Sequence, residues 1–173
     1  MPDISNKVPG DQFYPDYSRI VTLVAAVAVK KGRMYTIQRG QANRDGHLVS
    51  WANSAAQDAA GRAAQDIADF TNGVYQAIED GAVGDKVQCF SAGSRIGIKA
   101  KAGLVVGQKL TYDYDESNGE GRVAAYGTAD AANIKGHVGR IFEIYTGGRD
   151  IEGDGISYET EANDIVIVEL GMA

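Results

Sequence analysis

Apolar and polar residues alternate with a period of two along most of the second half of the chain. Val87-Gln88-Cys89, Leu110-Thr111-Tyr112 and Ile165 to Leu170 are the clearest examples. Successive side chains of a strand point to opposite faces, so this period fits strands with one buried face. The alternation predicts strands over 74–78, 86–90, 97–101, 108–114, 122–125, 137–144 and 164–169. Asn118-Gly119, between Tyr114 and Arg122, is the dipeptide of a tight hairpin turn. Seven short strands at this spacing, with little helix, predict a mainly β protein: a small β-barrel or β-sandwich of short antiparallel strands.

One small device recurs. Gly32-Arg33-Met34-Tyr35-Thr36-Ile37, Gly84-Asp85-Lys86-Val87-Gln88-Cys89 and Gly107-Gln108-Lys109-Leu110-Thr111-Tyr112 each place a glycine and two mostly polar residues ahead of alternation. The first and third copies also follow similar apolar stretches, Val27-Ala28-Val29 and Leu104-Val105-Val106. The reading is a repeated strand–turn–strand unit. The pattern is too degenerate to establish duplication.

Two segments break the alternation. Residues 1–18 hold all three prolines together with Phe13, Tyr14 and Tyr17, and cannot build a regular element of their own. They form either a frayed terminus or an extended N-terminal arm whose aromatics dock on a neighbouring subunit or partner. Residues 19–173 are then one β domain, interrupted by an Ala-rich helix or loop insert at about 52–70 and an acidic loop at about 146–163.

Composition narrows the function classes. Hydrophobic residues make up 44% of the 173, enough for a packed core. The net charge of −6, with scattered lysines and arginines, argues against nucleic acid as a partner. The longest apolar run, Ile20 to Val29, is too short to cross a bilayer, so a soluble protein made in the cytoplasm is expected, with no membrane partner. Cys89 stands alone, in an inward strand position that suits an inert buried thiol.

Catalytic groups are sparse. His47 and His137 lie in unrelated contexts, and Ser91, Ser94 and Ser117 sit in turns without a nucleophile-elbow pattern. No enzyme activity is expected. Asp150, Glu152, Asp154 and Glu161 fall near the spacing of a calcium loop, with Gly155 at the turn position. Glu152 departs from that pattern and no flanking helices are expected, so an acidic hairpin tip is the alternative. Asp113, Asp115, Glu116 and Glu120 read as a solvated turn. Trp51 is either a core residue or an interface anchor.

The stretches Ala77 to Cys89 and Gly97 to Tyr112 resemble the middle of phage head decoration (capsid cement) proteins. Val138-Gly139-Arg140-Ile141-Phe142 and the final run Asp164 to Leu170 are similar to that family's later strands, and Val27 to Gly32 to its first turn. The matching positions are glycines and apolar residues over about 20–170. The resemblance implies a small β body, commonly a homotrimer, on the outer surface of the capsid in the virion, stabilising contacts between capsomers of the major capsid protein. It supplies no catalytic residues and no cofactor. It also implies an N-terminal arm that makes capsid contacts, for which Phe13, Tyr14 and Tyr17 are the candidates, with Trp51 a further candidate partner-binding residue outside the arm. The insert at 52–70 and the acidic loop depart from the family pattern. The competing reading is a β-sandwich ligand-binding or adhesion module, carbohydrate-binding or tail-associated, with Trp51 stacking on sugars and calcium in the 150–161 loop.

Overall fold

A computed structural model describes residues 7–25, 28–37, 47–50, 74–113, 121–126 and 137–171. Ten strands form two five-stranded ladders. In the first, β1 (Ile20–Ala25), β2 (Met34–Ile37), β3 (His47–Ser50), β4 (Tyr75–Ala77) and β5 (Lys86–Phe90) pair in the order β1-β3-β2-β4-β5. Because β5 pairs back onto β1, this ladder closes on itself. In the second, β6 (Arg95–Lys99), β7 (Lys109–Asp113), β8 (Arg122–Ala125), β9 (Gly139–Ile144) and β12 (Ile165–Leu170) pair in the order β6-β12-β9-β7-β8. Two further strands, β10 (Arg149–Asp150) and β11 (Tyr158–Glu159), make a separate hairpin.

The mainly β class predicted by the alternation is what forms. All seven predicted strands are present, with edges moved by up to two residues. The largest shift is at β6, which runs Arg95–Lys99, two residues early at both ends, with the chain turning at Ala102 and Gly103. The pairing is antiparallel throughout the strands except between β1 and β3, which run parallel.

The two ladders are copies of one design. Ala25 pairs in parallel with Leu48, and Ala100 in parallel with Val123, each shifted by 75 residues. Met34 faces Gln76 as Lys109 faces Arg140. Ala77 faces Cys89 as Ile141 faces Val168, and Leu23 faces Val87 as Ile98 faces Val166. Turn hydrogen bonds follow the same correspondence: Gly32 N–H donates to Ala77 O and Gly107 N–H to Ile141 O, both at 2.8 Å. Two of the three glycine-led fragments of the sequence, those at Gly32 and Gly107, are therefore equivalent parts of a whole-ladder repeat, β1–β5 and β6–β9 plus β12, while the other, at Gly84, leads into β5 of the first copy. Glycine fits Gly32 and Gly107 because both turns need positive φ, 85° and 87°.

The copies share a core. Ile96, Ile98, Leu110, Tyr112, Val123, Ile141, Val166, Val168 and Leu170 from the second ladder pack with Met34, Val74 and Phe90 from the first. A smaller cluster of Ala25, Val29, Tyr35, Ala77, Val87 and Cys89 belongs to the first ladder alone. Adjacent residues of β2 thus serve different cores, Met34 the shared one and Tyr35 the local one, as strand alternation requires. Burial of each large aliphatic side chain stabilises the fold by about 1.5–3 kcal/mol. Gln76 adds a polar tie. Its side-chain amide, fully buried, donates to Gly32 O at 3.1 Å in the first ladder and Gly97 O at 2.9 Å in the second. Its counterpart Arg140 makes the equivalent bond to Gly107 O at 3.0 Å on the surface.

The copies differ in their insertions. Between β4 and β5 the first uses residues 78–85, whereas the second places the β10–β11 hairpin between β9 and β12. Trp51 and the Ala-rich insert at 52–70 lie outside the described residues.

Candidate interaction surface

Prolines and glycine give the segment before β1 its shape. It turns at 8–11, where Asp11 accepts from Val8 N–H at 2.8 Å, and makes one tight helical turn at Pro15–Tyr17. Asp11 also binds the Lys31 ammonium at 2.5 Å. Burial raises the Asp11 carboxyl pKa, but Lys31 and the Val8 amide outweigh this and hold it below its ordinary value.

The aromatics of this segment lie on the outer face of the second ladder. Phe13 covers Gly97, where any Cβ would overlap its ring, and meets Tyr145 edge-on at 4.8 Å between centroids. Tyr14 meets Phe142 edge-on at 6.0 Å and donates its hydroxyl to Glu143. Burial, with that bond and the Glu143 charge, pushes the Tyr14 phenol up to about 12. Arg95 is sandwiched between Tyr17 and Phe142, its guanidinium carbon 3.8 Å from each ring centroid, and pairs with Glu169 at 3.3 Å. Ile167, opposite Gly97 in register, belongs to neither core yet is fully buried, as expected under this cover. Sequence reasoning assigned Phe13, Tyr14 and Tyr17 to a partner. The structure engages them with the chain's own sheet, while Tyr17 keeps 48% of its surface exposed.

A second feature lies at the far end of the second ladder. The turn before β7, the end of β9 and the tip of the β10–β11 hairpin enclose a groove of about 540 Å³ lined chiefly by Val105, Val106, Ile144, Ile151, Ile156 and Tyr158. Val106 is 58% exposed and Ile156 82%, which is unusual for such side chains standing together. Both walls are fixed. Thr160 Oγ1 accepts from Leu104 N–H at 2.9 Å and donates to Lys101 O at 2.6 Å, tying hairpin to turn. Asp164 accepts from Gly148 N–H at 2.9 Å and Glu161 N–H at 2.8 Å, clamping both ends of the inserted segment.

The hairpin tip is held by its own carboxylates. Asp150 accepts from the amides of Glu152, Gly153 and Gly155 at 3.3, 2.8 and 2.7 Å. Asp154 accepts from those of Ile156 and Ser157, both at 2.8 Å. These bonds, led by Gly155 for Asp150 and Ile156 for Asp154, lower both carboxyl pKa values. Arg149 pairs with Glu159 below the tip. The calcium reading needed Asp150, Glu152, Asp154 and Glu161 around one point. Among the described residues no group of three or more histidine, cysteine or acidic side chains is placed to hold a metal, and Glu161 sits on the separate 161–164 turn.

The other singled-out residues, where described, contact the surrounding chain. Ser94 accepts from Arg19 N–H at 2.8 Å, and His137 meets Tyr126 edge-on at 6.3 Å. Burial, followed by the Glu79 charge, pushes the Cys89 thiol up to about 12, so it is inert. Ser117, Asp115, Glu116 and Glu120 lie outside the described residues, and of Asp113 and His47 only the backbone is described. Sequence reasoning missed the groove residues. Val105 and Val106 read as part of a buried strand, although Ile151 and Ile156 inside an acidic, Gly-rich loop were a usable signal.

No protein-family model, curated protein or solved structure matches this chain.

Proposed function

We propose that the chain is a structural virion protein, a decoration or cement protein that binds the outside of a phage head and stabilises contacts between capsomers of the major capsid protein. The observation that carries this reading is the apolar groove, whose Val105, Val106, Ile151, Ile156 and Tyr158 side chains are exposed on walls fixed by hydrogen bonds. A preorganised apolar surface loses little conformational freedom on docking, which favours tight binding to a large partner. The sequence resemblance over about 20–170 points to the same class, and a homotrimer belongs to the proposal because repeated weak contacts add through avidity.

Co-sedimentation of the purified protein with heads of the phage that encodes it tests the reading, with light scattering for oligomeric mass. Saturable head binding by a trimer is the expected result. A protein that stays in the supernatant at every concentration would sink it.

A further inference from the structure

The two ladders make the same turn twice and finish it differently. In the first, Val29-Lys30-Lys31-Gly32 precedes β2, with Lys31 held by Asp11 and its backbone amide by Asp80 at 2.8 Å. In the second, Leu104-Val105-Val106-Gly107 occupies the equivalent place before β7. Two exposed lysines of one copy are two exposed valines of the other, and the hairpin inserted only in the second copy stands beside those valines. Among the described residues, this turn and the hairpin beside it are thus where the copies differ at the groove.

Its charge is as distinctive as its apolar floor. Residues 149–161 carry Asp150, Glu152, Asp154, Glu159 and Glu161 against one base, Arg149, which is engaged with Glu159. Glu152 itself lines the groove, between Ile151 and Ile156. Asp150 and Asp154 are charged at neutral pH like any exposed carboxylate, and backbone amides hold their pKa values lower still.

From this arrangement we infer that the groove docks a segment of another protein in which apolar side chains are flanked by lysine or arginine. The apolar floor takes the apolar side chains and the acidic rim takes the flanking cations. A second copy of this chain is a poorer occupant, because a chain of net charge −6 approaches an acidic rim against its own field. In the decoration reading, on which this inference rests, the segment belongs to the major capsid protein.

The test compares wild type with Ile156→Ser, Val106→Ser, Glu152→Gln and Glu152→Lys. All three sites are on the surface, and melting curves check that each variant folds. In head co-sedimentation, either serine variant is expected to weaken binding about ten- to a hundredfold. Glu152→Gln should flatten the salt dependence, and Glu152→Lys should abolish binding at low salt. A second probe is a fluorescein-labelled peptide with a central Val-Ile-Leu flanked by two lysines on each side, and its counterpart with glutamates in place of the lysines. Wild type should bind the lysine peptide alone, and Ile156→Ser should not.

Wild-type head binding that all four variants match would overturn the groove inference and leave the decoration reading standing. Failure of wild type on heads, with the lysine peptide still bound, would remove the decoration reading and keep the groove. Equal binding of both peptides, or of neither, would overturn it. Dissociation of an oligomer by Ile156→Ser would do the same, since it makes a second copy the occupant.

Discussion

Asn163 occupies in the second ladder the place that Gly84 occupies in the first. Both have left-handed backbones, φ 70° and 89°, and both donate their N–H to the end of a ladder's first strand, Asn163 to Ala100 O at 2.9 Å and Gly84 to Ala25 O at 2.8 Å. Each is followed by an aspartate that caps the turn, Asp164 accepting from Glu161 N–H and Asp85 from Ala82 N–H. Among L residues asparagine is one of the few that tolerates this conformation.

Asn163→Gly should therefore be nearly neutral, whereas Asn163→Val should lose about 1–2 kcal/mol of stability through backbone strain. Urea unfolding of the two variants beside wild type measures the difference. Equal midpoints for the glycine and valine variants would show that the left-handed turn is not required.

Gly97 leaves room for Phe13, and the pair should behave as one unit. Gly97→Ala pushes the ring off the sheet and should destabilise by about 1–3 kcal/mol. In a Phe13→Ala background the same change should cost much less, giving a coupling energy of about 0.5–3 kcal/mol in a double-mutant cycle. Strict additivity would mean that Phe13 does not rest on Gly97 in solution.

Tyr14 gives the attached arm a limit at high pH. Its folded pKa, about 12, lies above the unfolded value of about 10, so folding favours the neutral phenol. That stabilisation is complete below pH ~10 and is lost as pH rises through about 12. Denaturation midpoints from pH 8 to 12 should fall more steeply for wild type than for Tyr14→Phe, and parallel curves would count against the bond to Glu143.

The acidic hairpin should not depend on calcium. Asp150 and Asp154 already accept from five backbone amides, so the melting temperature should be the same with calcium or with a chelator. Asp150→Ala should instead accelerate hydrogen exchange at Gly153 and Gly155. Because the folded carboxyl pKa values are lowered, the contribution is present above the ordinary carboxylate pKa of about 3.9 and fades as pH falls below it. Chelator-induced melting would restore the calcium reading.

Strand positions were legible because alternation is a local property. Lys86–Phe90 and Arg122–Ala125 match their predicted limits to the residue. The first ladder was harder to read: Ile20 to Val29 is one continuous apolar run, and its division into β1 and the stretch that pairs with Gly81 depends on partners far along the chain. The repeat was visible only in the Gly32- and Gly107-led fragments, since what the copies share is register, and register is set by pairing between distant strands. The aromatics at 13, 14 and 17 stood out in the sequence as a frayed terminus or as residues for a partner, because composition does not reveal their seat on the chain's own sheet, which Gly97, Phe142, Glu143 and Tyr145 assemble from two strands and a turn. The groove was illegible for the opposite reason. Val105 and Val106 have the composition of buried strand, and only the turn that carries them leaves them exposed.

The arm leaves the ribosome well before its seat is made. Phe13 and Tyr14 rest on Gly97, Phe142, Glu143 and Tyr145, and the sheet under them is completed by Ile165–Leu170. The first ladder can close once residue 90 has emerged, because its last strand pairs with its first. The arm must wait through a further eighty residues of synthesis, roughly 4–16 s at typical rates of about 5–20 residues per second. Docking of the arm therefore reports that Ile165–Leu170 has been made and paired. A nascent chain that has not yet reached that strand keeps the rings of Phe13, Tyr14 and Tyr17 without their full seat.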